Sequence, residues 1–173
     1  MPVGCYLPGG IDSCSILGLD AACRQDPVKA FTIGFDDAGY DGSLIAKRMA
    51  ASTGADQDVM MLRGEDLYTS FADTHWHTQR TIYNTPNVAK FLMIRHVRDA
   101  GYRVVLTGEG SFELFHSMEA QPAFLDHNLA AVAFQIAPDL RIREGRKKHV
   151  LREAMKGLLP EELYNRKKFA FMA

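Results

Sequence analysis

Residues 3–13, Val-Gly-Cys-Tyr-Leu-Pro-Gly-Gly-Ile-Asp-Ser, put an apolar run, a glycine pair and the Asp-Ser opening of a helical pattern in immediate succession. A strand that passes straight into a helix through so short a turn is the first half of a βαβ unit, and such units build parallel sheets. Adjacent glycines let backbone N–H groups approach a phosphate without Cβ clashes. The following helix aims its positive N-terminal end at the same spot. Asp12 and Ser13 lie in its first turn, one able to hold a cation and the other to donate to an oxygen. The stretch reads as an ATP site on the first strand of an α/β sheet. A plain turn joining strand to helix is the alternative.

The rest of the chain alternates in the same way. Strands are expected at 3–7, 28–35, 57–62 and 103–107, and helices at 12–24, 41–53, 66–74 and 85–100, with a short helix starting near Glu109. Pro86 suits the first turn of the helix at 85–100. Beyond Ser117 no strand is expected, only helices at 125–136, 147–156 and 160–165. The predicted fold is therefore α/β: an open parallel sheet with flanking helices over residues 1–117, then a small C-terminal helical part over 118–173.

Composition narrows the function. With 173 residues, 47% of them hydrophobic, the chain can bury the core of one ordinary domain. A net charge of −1 gives no basic excess for nucleic acid. Its apolar runs are too short to span a bilayer, and Met1-Pro2-Val3-Gly4 does not open a signal peptide. Cys5, Cys14 and Cys23 are odd in number and widely spaced, which argues against disulfides or zinc and for reduced thiols in a cytoplasmic protein.

A second strand-and-glycine loop strengthens the first. Val104-Val105-Leu106-Thr107-Gly108-Glu109-Gly110-Ser111 again ends a strand on glycines before a helix start. In an open parallel sheet both loops lie at the carboxyl ends of strands, where ligands bind. Glu109, between two glycines, is a carboxylate held on a turn, or else a capping residue. The first loop is not a Walker A sequence, because no lysine follows its glycines, and it is not Gly-x-Gly-x-x-Gly.

With both loops in view, the chain resembles the synthetase domain of the glutamine-dependent asparagine synthetases, in the ATP pyrophosphatase (PP-loop) superfamily. The matching segments are 2–13, Phe-Thr-Ile-Gly-Phe at 31–35, 104–111, Pro-Ala-Phe-Leu-Asp-His at 122–127, and Leu-Arg-Glu-Ala-Met-Lys-Gly-Leu-Leu-Pro-Glu-Glu-Leu at 151–163 with Arg-Lys-Lys-Phe after it. The resemblance covers almost the whole chain. It implies ATP and Mg2+ as cofactors and a two-step reaction: adenylation of aspartate or a similar carboxylate with release of pyrophosphate, then displacement of AMP by ammonia. It places Gly9, Gly10 and Ser13 on the pyrophosphate end of ATP and Asp12 on Mg2+. Ile33 and Gly34 line the adenine pocket, and Thr107 and Gly108 lie on the ribose or phosphate side. Glu109 assists ammonia attack, and Lys168 neutralises the phosphates. It also implies a glutaminase domain or subunit as ammonia source; none is expected on this chain.

The chain departs from the family pattern in ways that bear on turnover. Pro8 replaces a serine and removes an N–H and a hydroxyl from the phosphate loop. Phe112 replaces an aspartate that joins Asp12 around Mg2+. His116 replaces a glycine, and Gln121 and Ala123 replace an arginine and a proline. A long helical insert is missing between Ser117 and Met118. One lost oxyanion donor is worth roughly 3 kcal/mol, so the alternative to an enzyme is a decayed relative that binds nucleotide without turning it over. Elsewhere the bland readings stand: His75, Trp76 and His77 as a helix-end cluster, Asp36 and Asp37 as turn residues, and Arg143, Arg146, Lys147 and Lys148, a run that could also meet phosphate, as a solvated helix start.

Overall fold

The computed structural model describes residues 1–36, 42–79, 81–108 and 118–165. Five strands form one sheet: β1 (Val3–Tyr6), β2 (Lys29–Phe35), β3 (Asp56–Leu62), β4 (Val104–Thr107) and β5 (Glu119–Pro122). Their order is β3-β2-β1-β4-β5, and every pairing is parallel. The chain leaves β1 towards β2 and β3, then returns to the other side of β1 with β4 and β5. The carboxyl ends of β1 and β4 therefore flank the point where the strand order reverses, the ligand crevice of open α/β sheets.

Side chains alternate across the sheet with the two-residue period of a strand. Cys5, Leu7 and Ala30 point to one face. There they pack with Leu17 of α1 (Ile11–Cys23) and with Ala46 and Met49 of α2 (Ser43–Thr53). Tyr6, Phe31 and Val105 point to the other, where Met93, Ile94 and Val97 of α5 (Pro86–Asp99) cover them. Pro86 occupies the first turn of α5 as expected. The segment expected as one helix at 66–74 is two: α3 (Gly64–Thr69) and α4 (Phe71–Thr78).

The C-terminal part is helical, with α6 (His127–Gln135), α7 (Pro138–Arg141), α8 (His149–Ala154) and α9 (Glu161–Asn165). Its sequence reading needs two corrections. A strand does follow Ser117: β5 pairs Val104–Thr107 with Glu119–Pro122 and completes the sheet edge. It escapes pattern reading because Glu-Ala-Gln-Pro has no β-branched or aromatic residue and only half-buries its alternate positions. Pro122 is tolerated there because the strand is an edge. Residues 142–147 form a hairpin, β6 (Ile142–Arg143) and β7 (Arg146–Lys147), not a helix start. Glu144 and Gly145 turn it with φ of 52° and 72°, the positive-φ pair that short hairpins favour. Leu159 and Leu163 then pack into the α1–α2 side of the core. Among the described residues no helix is long and apolar enough to cross a membrane.

Candidate nucleotide site

The first loop does what its glycines permit. Gly9 sits at φ +79°, and a Cβ there would lie 2.9 Å from the Gly42 carbonyl oxygen at the start of α2. An L side chain would meet both strain and a clash. Gly10 caps α1 and offers no side chain to its first-turn amides. Those amides and the helix dipole face the loop. Ser13 is buried and its hydroxyl donates to the Gly10 carbonyl at 3.0 Å. Pro8 is exposed, and its carbonyl abuts Gly42.

The second loop meets the first. A Cβ on Gly108 would fall 2.9 Å from Asp12 Cβ and 3.1 Å from the Ser13 backbone nitrogen. The end of β4 thus lies directly against the first turn of α1, and only glycine fits there. Thr107 precedes it and is 2% exposed. Beneath the loops, Thr32 donates from Oγ1 to the Leu7 carbonyl at 3.0 Å and accepts from Gln57 Nε2 at 2.9 Å. This chain of bonds ties the exit of β1 to β2 and β3, and nothing in the sequence pattern marks it.

Ile33 and Gly34 lie near the carboxyl end of β2, the strand next to β1. Ile33 packs with Phe31 and Met60 on the α5 face. Gly34 is on the other face, where Met61 lies across it: a Cβ would come 2.4 Å from the Met61 sulfur. The structure brings Gly9, Gly10, Asp12, Ser13, Thr107 and Gly108 around one turn, and puts Ile33 and Gly34 one strand away. Glu109, Phe112 and Lys168 lie outside the described residues.

One charged partner was not foreseen. The Lys148 ammonium donates to Asp12 Oδ2, joining the residue before α8 to the first turn of α1. Arg143, Arg146 and Lys147 are exposed as expected, but Lys148 is half-buried and paired. Its sequence signal is slight: a lysine three residues after a glycine turn, ahead of an apolar-periodic stretch. Asp12 is about one-quarter exposed, and among the described residues no three His, Cys, Asp or Glu side chains cluster around a metal position. A carboxylate such as Asp12 suits Mg2+ that arrives with phosphate oxygens and keeps its waters.

Other candidates do not converge on the loops. His77 stacks on Phe91 with ring centroids 5.5 Å apart, so it is part of the α4–α5 packing. A hollow of about 310 Å³ lined by His75, Trp76, Gln79 and Thr81 shares no residue with the loops. Cys5, Cys14 and Cys23 are free thiols, the first two buried.

Comparison with known proteins decides the family. The asparagine synthase family model matches residues 1–118 and 115–173. The chain belongs to the asparagine synthase family. The two matched pieces overlap at residues 115–118. Amidase chyE of Penicillium rubens is 35% identical over 150 residues, covering 76% of this chain and 22% of that protein. Amidase chry2 of Gibberella zeae is 31% identical over 134 residues, covering 69% and 20%. Asparagine synthetase 1 of Bacillus subtilis, glutamine-hydrolysing, is 27% identical over 161 residues, covering 93% and 23%. The chain thus spans about a fifth of the length of these relatives. In fold it is similar to NMN synthetase of Francisella tularensis, with a TM-score of 0.55 at 14% identity over 96% of this chain and 66% of that one.

Proposed function

We propose that this member of the asparagine synthase family carries the ATP-binding part of an amide-forming ligase. The observation that carries the reading is the seating of Gly108 against Asp12 and Ser13 at the switch point of a parallel sheet. It sets the ends of two glycine-bearing strand exits beside one helix N-terminus, an arrangement suited to phosphate.

In this reading the α1 amides with Gly9, Gly10 and Ser13 hold the pyrophosphate end of ATP. Asp12 holds Mg2+, which when bound neutralises charge on the phosphates. Thr107 and Gly108 border the ribose or phosphates, and Ile33 and Gly34 the adenine. A substrate carboxylate attacks the α-phosphorus, pyrophosphate leaves, and an acyl-adenylate remains. Ammonia then attacks the acyl carbon with Glu109 assisting, its spare proton passes to base, and AMP departs. Lys168 balances the phosphates. Such chemistry is mostly positioning and charge neutralisation. The ammonia comes from free solution or from a glutaminase domain or subunit.

Aspartate is the acceptor implied by the asparagine synthetase relatives. The relatives named as amidases also point to amide-bond chemistry and widen the acceptor to other carboxylates. A second reading, binding without turnover, is favoured by Pro8 and Phe112 in place of a phosphate donor and a metal ligand. Carboxylate-dependent exchange of labelled pyrophosphate into ATP separates the two. Exchange with aspartate supports the ligase, and exchange with other carboxylates reassigns the acceptor. Mg-ATP binding without any exchange supports the remnant, and no Mg-ATP binding refutes both.

A further inference from the structure

The rest of the fold leaves α6 (His127–Gln135) on the outside. Every residue of it except Ala130 is exposed. From Asn128 to Pro138 the chain carries no charged side chain. Leu129, Val132, Ala133 and Ile136 follow the spacing of one helical face, and Phe134 carries apolar surface round to another. A helix that is apolar on more than one side is normally buried. Here Leu129 is 44% exposed, Val132 58% and Phe134 78%, with Leu125 at 59% ahead of the helix and Leu140 and Ile142 at 39% and 54% after it.

The charges at its two ends decide what fits it. Asp126 caps the N-terminus: its Oδ1 accepts from the Asn128 and Leu129 amides at 3.0 and 3.1 Å, and its side chain stays about half exposed. Arg141 folds back over the C-terminus and donates to the carbonyls of Phe134 and Ile136 at 3.0 and 2.8 Å. A carboxylate and a guanidinium thus bracket about 14 Å of uncharged helix. A second α6 laid antiparallel on the first sets Asp126 of each copy at the Arg141 end of the other, twice over, and opposes the two helix dipoles. It also brings Leu129 opposite the Ile136 end of its counterpart. A parallel pair would set like charge on like.

The area suffices as well. The six exposed side chains would lose on the order of 600 Å² to water per copy, at the top of the range for apolar patches on monomers. A two-fold pair then buries about 1,200 Å², past the roughly 1,000 Å² that a specific contact needs. A bilayer surface fits less well, because helices that lie on membranes carry lysine or arginine along a polar face, and α6 has neither.

We propose that α6 is a self-association surface through which two copies of this chain pair as an antiparallel two-fold dimer. Leu129, Val132 and Phe134 lie at its centre, and Asp126 meets Arg141 at both rims, as a self-complementary interface requires. The inference stands apart from the nucleotide reading, since α6 shares no residue with either glycine loop.

An interface of this size gives micromolar dissociation at its weak end, so sedimentation velocity on the full chain is run from about 1 to 200 μM. The mass should rise from one chain to two across that range. Val132→Glu sets two carboxylates across the two-fold axis and should weaken the dimer roughly 100-fold or more. Phe134→Ser takes its place if circular dichroism shows that variant unfolded. Asp126→Asn, which keeps a capping side chain, and Arg141→Gln should each weaken pairing several-fold at low salt and less at high salt. Combined, they should weaken it by less than the product of the two, because they remove the same contact. A wild type that stays monomeric overturns the proposal and leaves the face to another occupant. A Val132→Glu protein that pairs as tightly as wild type overturns it too, as do Asp126→Asn and Arg141→Gln losses that simply multiply. Mg-ATP binding, measured alongside, should be the same in all four variants, so the nucleotide reading stands or falls on its own.

Discussion

Replacing Gly108 with alanine tests the contact between the two loops. The new methyl would sit 2.9 Å from Asp12 Cβ, 3.1 Å from the Ser13 nitrogen and 3.2 Å from the Asp12 carbonyl carbon. Carbon pairs rest at about 3.5–4.0 Å, so the overlap is roughly half an ångström or more against each atom. None of the three is the free end of a side chain, so the β4 loop or α1 has to move. Overpacking of this kind costs about 1–3 kcal/mol, and at roughly 2–4 °C per kcal/mol for a chain of this size the Tm should fall by about 2–12 °C. The loops part by the same displacement, and Mg-ATP affinity should drop on the order of 10- to 100-fold, as near-ångström misplacements do elsewhere. Gly34→Ala is the control. Its Cβ would come closer still, 2.4 Å from the Met61 sulfur, but Met61 is 57% exposed and its thioether end can swing away. That change should cost less than about 1 kcal/mol. Differential scanning fluorimetry and calorimetry on both variants decide the matter. A Gly108→Ala protein with unaltered Tm and affinity, or a Gly34→Ala protein whose Tm falls further than that of Gly108→Ala, refutes the convergence of the loops.

Three further outcomes are expected. Leu163→Ala, at a side chain 1% exposed in the α1–α2 core, should lose about 2–5 kcal/mol in urea unfolding, detaching α9 and lowering Mg-ATP affinity with it. Thr32→Val leaves the Leu7 carbonyl and the Gln57 amide without the hydroxyl that serves both, and should cost about 1–3 kcal/mol by the same assay. Burial pushes the Cys5 thiol up from an ordinary 9.0 to about 12. Native protein at pH 8 should therefore take iodoacetamide at exposed Cys23 and spare Cys5, with all three cysteines labelled once unfolded, as read by mass spectrometry. The same cause contributes to the alkaline limit, alongside the Tyr6 phenol, which burial also pushes up. The folded state keeps the Cys5 proton where the unfolded chain loses it, so this contribution to stability is complete below pH 9 and declines as pH rises towards 12. Cys5→Ala should flatten that decline in melts taken across the range.

Much of the architecture was readable because local signals and tertiary roles agree. Val3–Tyr6, Lys29–Phe35 and Val104–Thr107 are apolar and buried on both faces, so continuous hydrophobic runs mark them. Gly9 and Gly108 are glycines for steric reasons that a motif records. The misses occur where tertiary placement overrides composition. Glu119–Pro122 pairs because β4 has a vacant edge beside it, not because its residues favour strands. Lys148 belongs to a run of four basic residues, and only the Glu144–Gly145 turn and the α9 packing single it out from the exposed three. The Thr32 bonds are equally silent, since a threonine in a strand reads as strand propensity whether or not its hydroxyl is at work.

The Asp12–Lys148 pair spans 136 positions, and that separation sets a timetable for the newly made protein. At ribosomal rates the glycine turn emerges on the order of ten seconds before the lysine that meets it. Through that interval β1 lacks its β4 neighbour, and the underside of α1 and α2 waits for Leu159 and Leu163 to arrive. A nascent chain therefore carries the glycine turn well before it carries the lysine that pairs with Asp12 and the leucines that complete the core beneath α1 and α2.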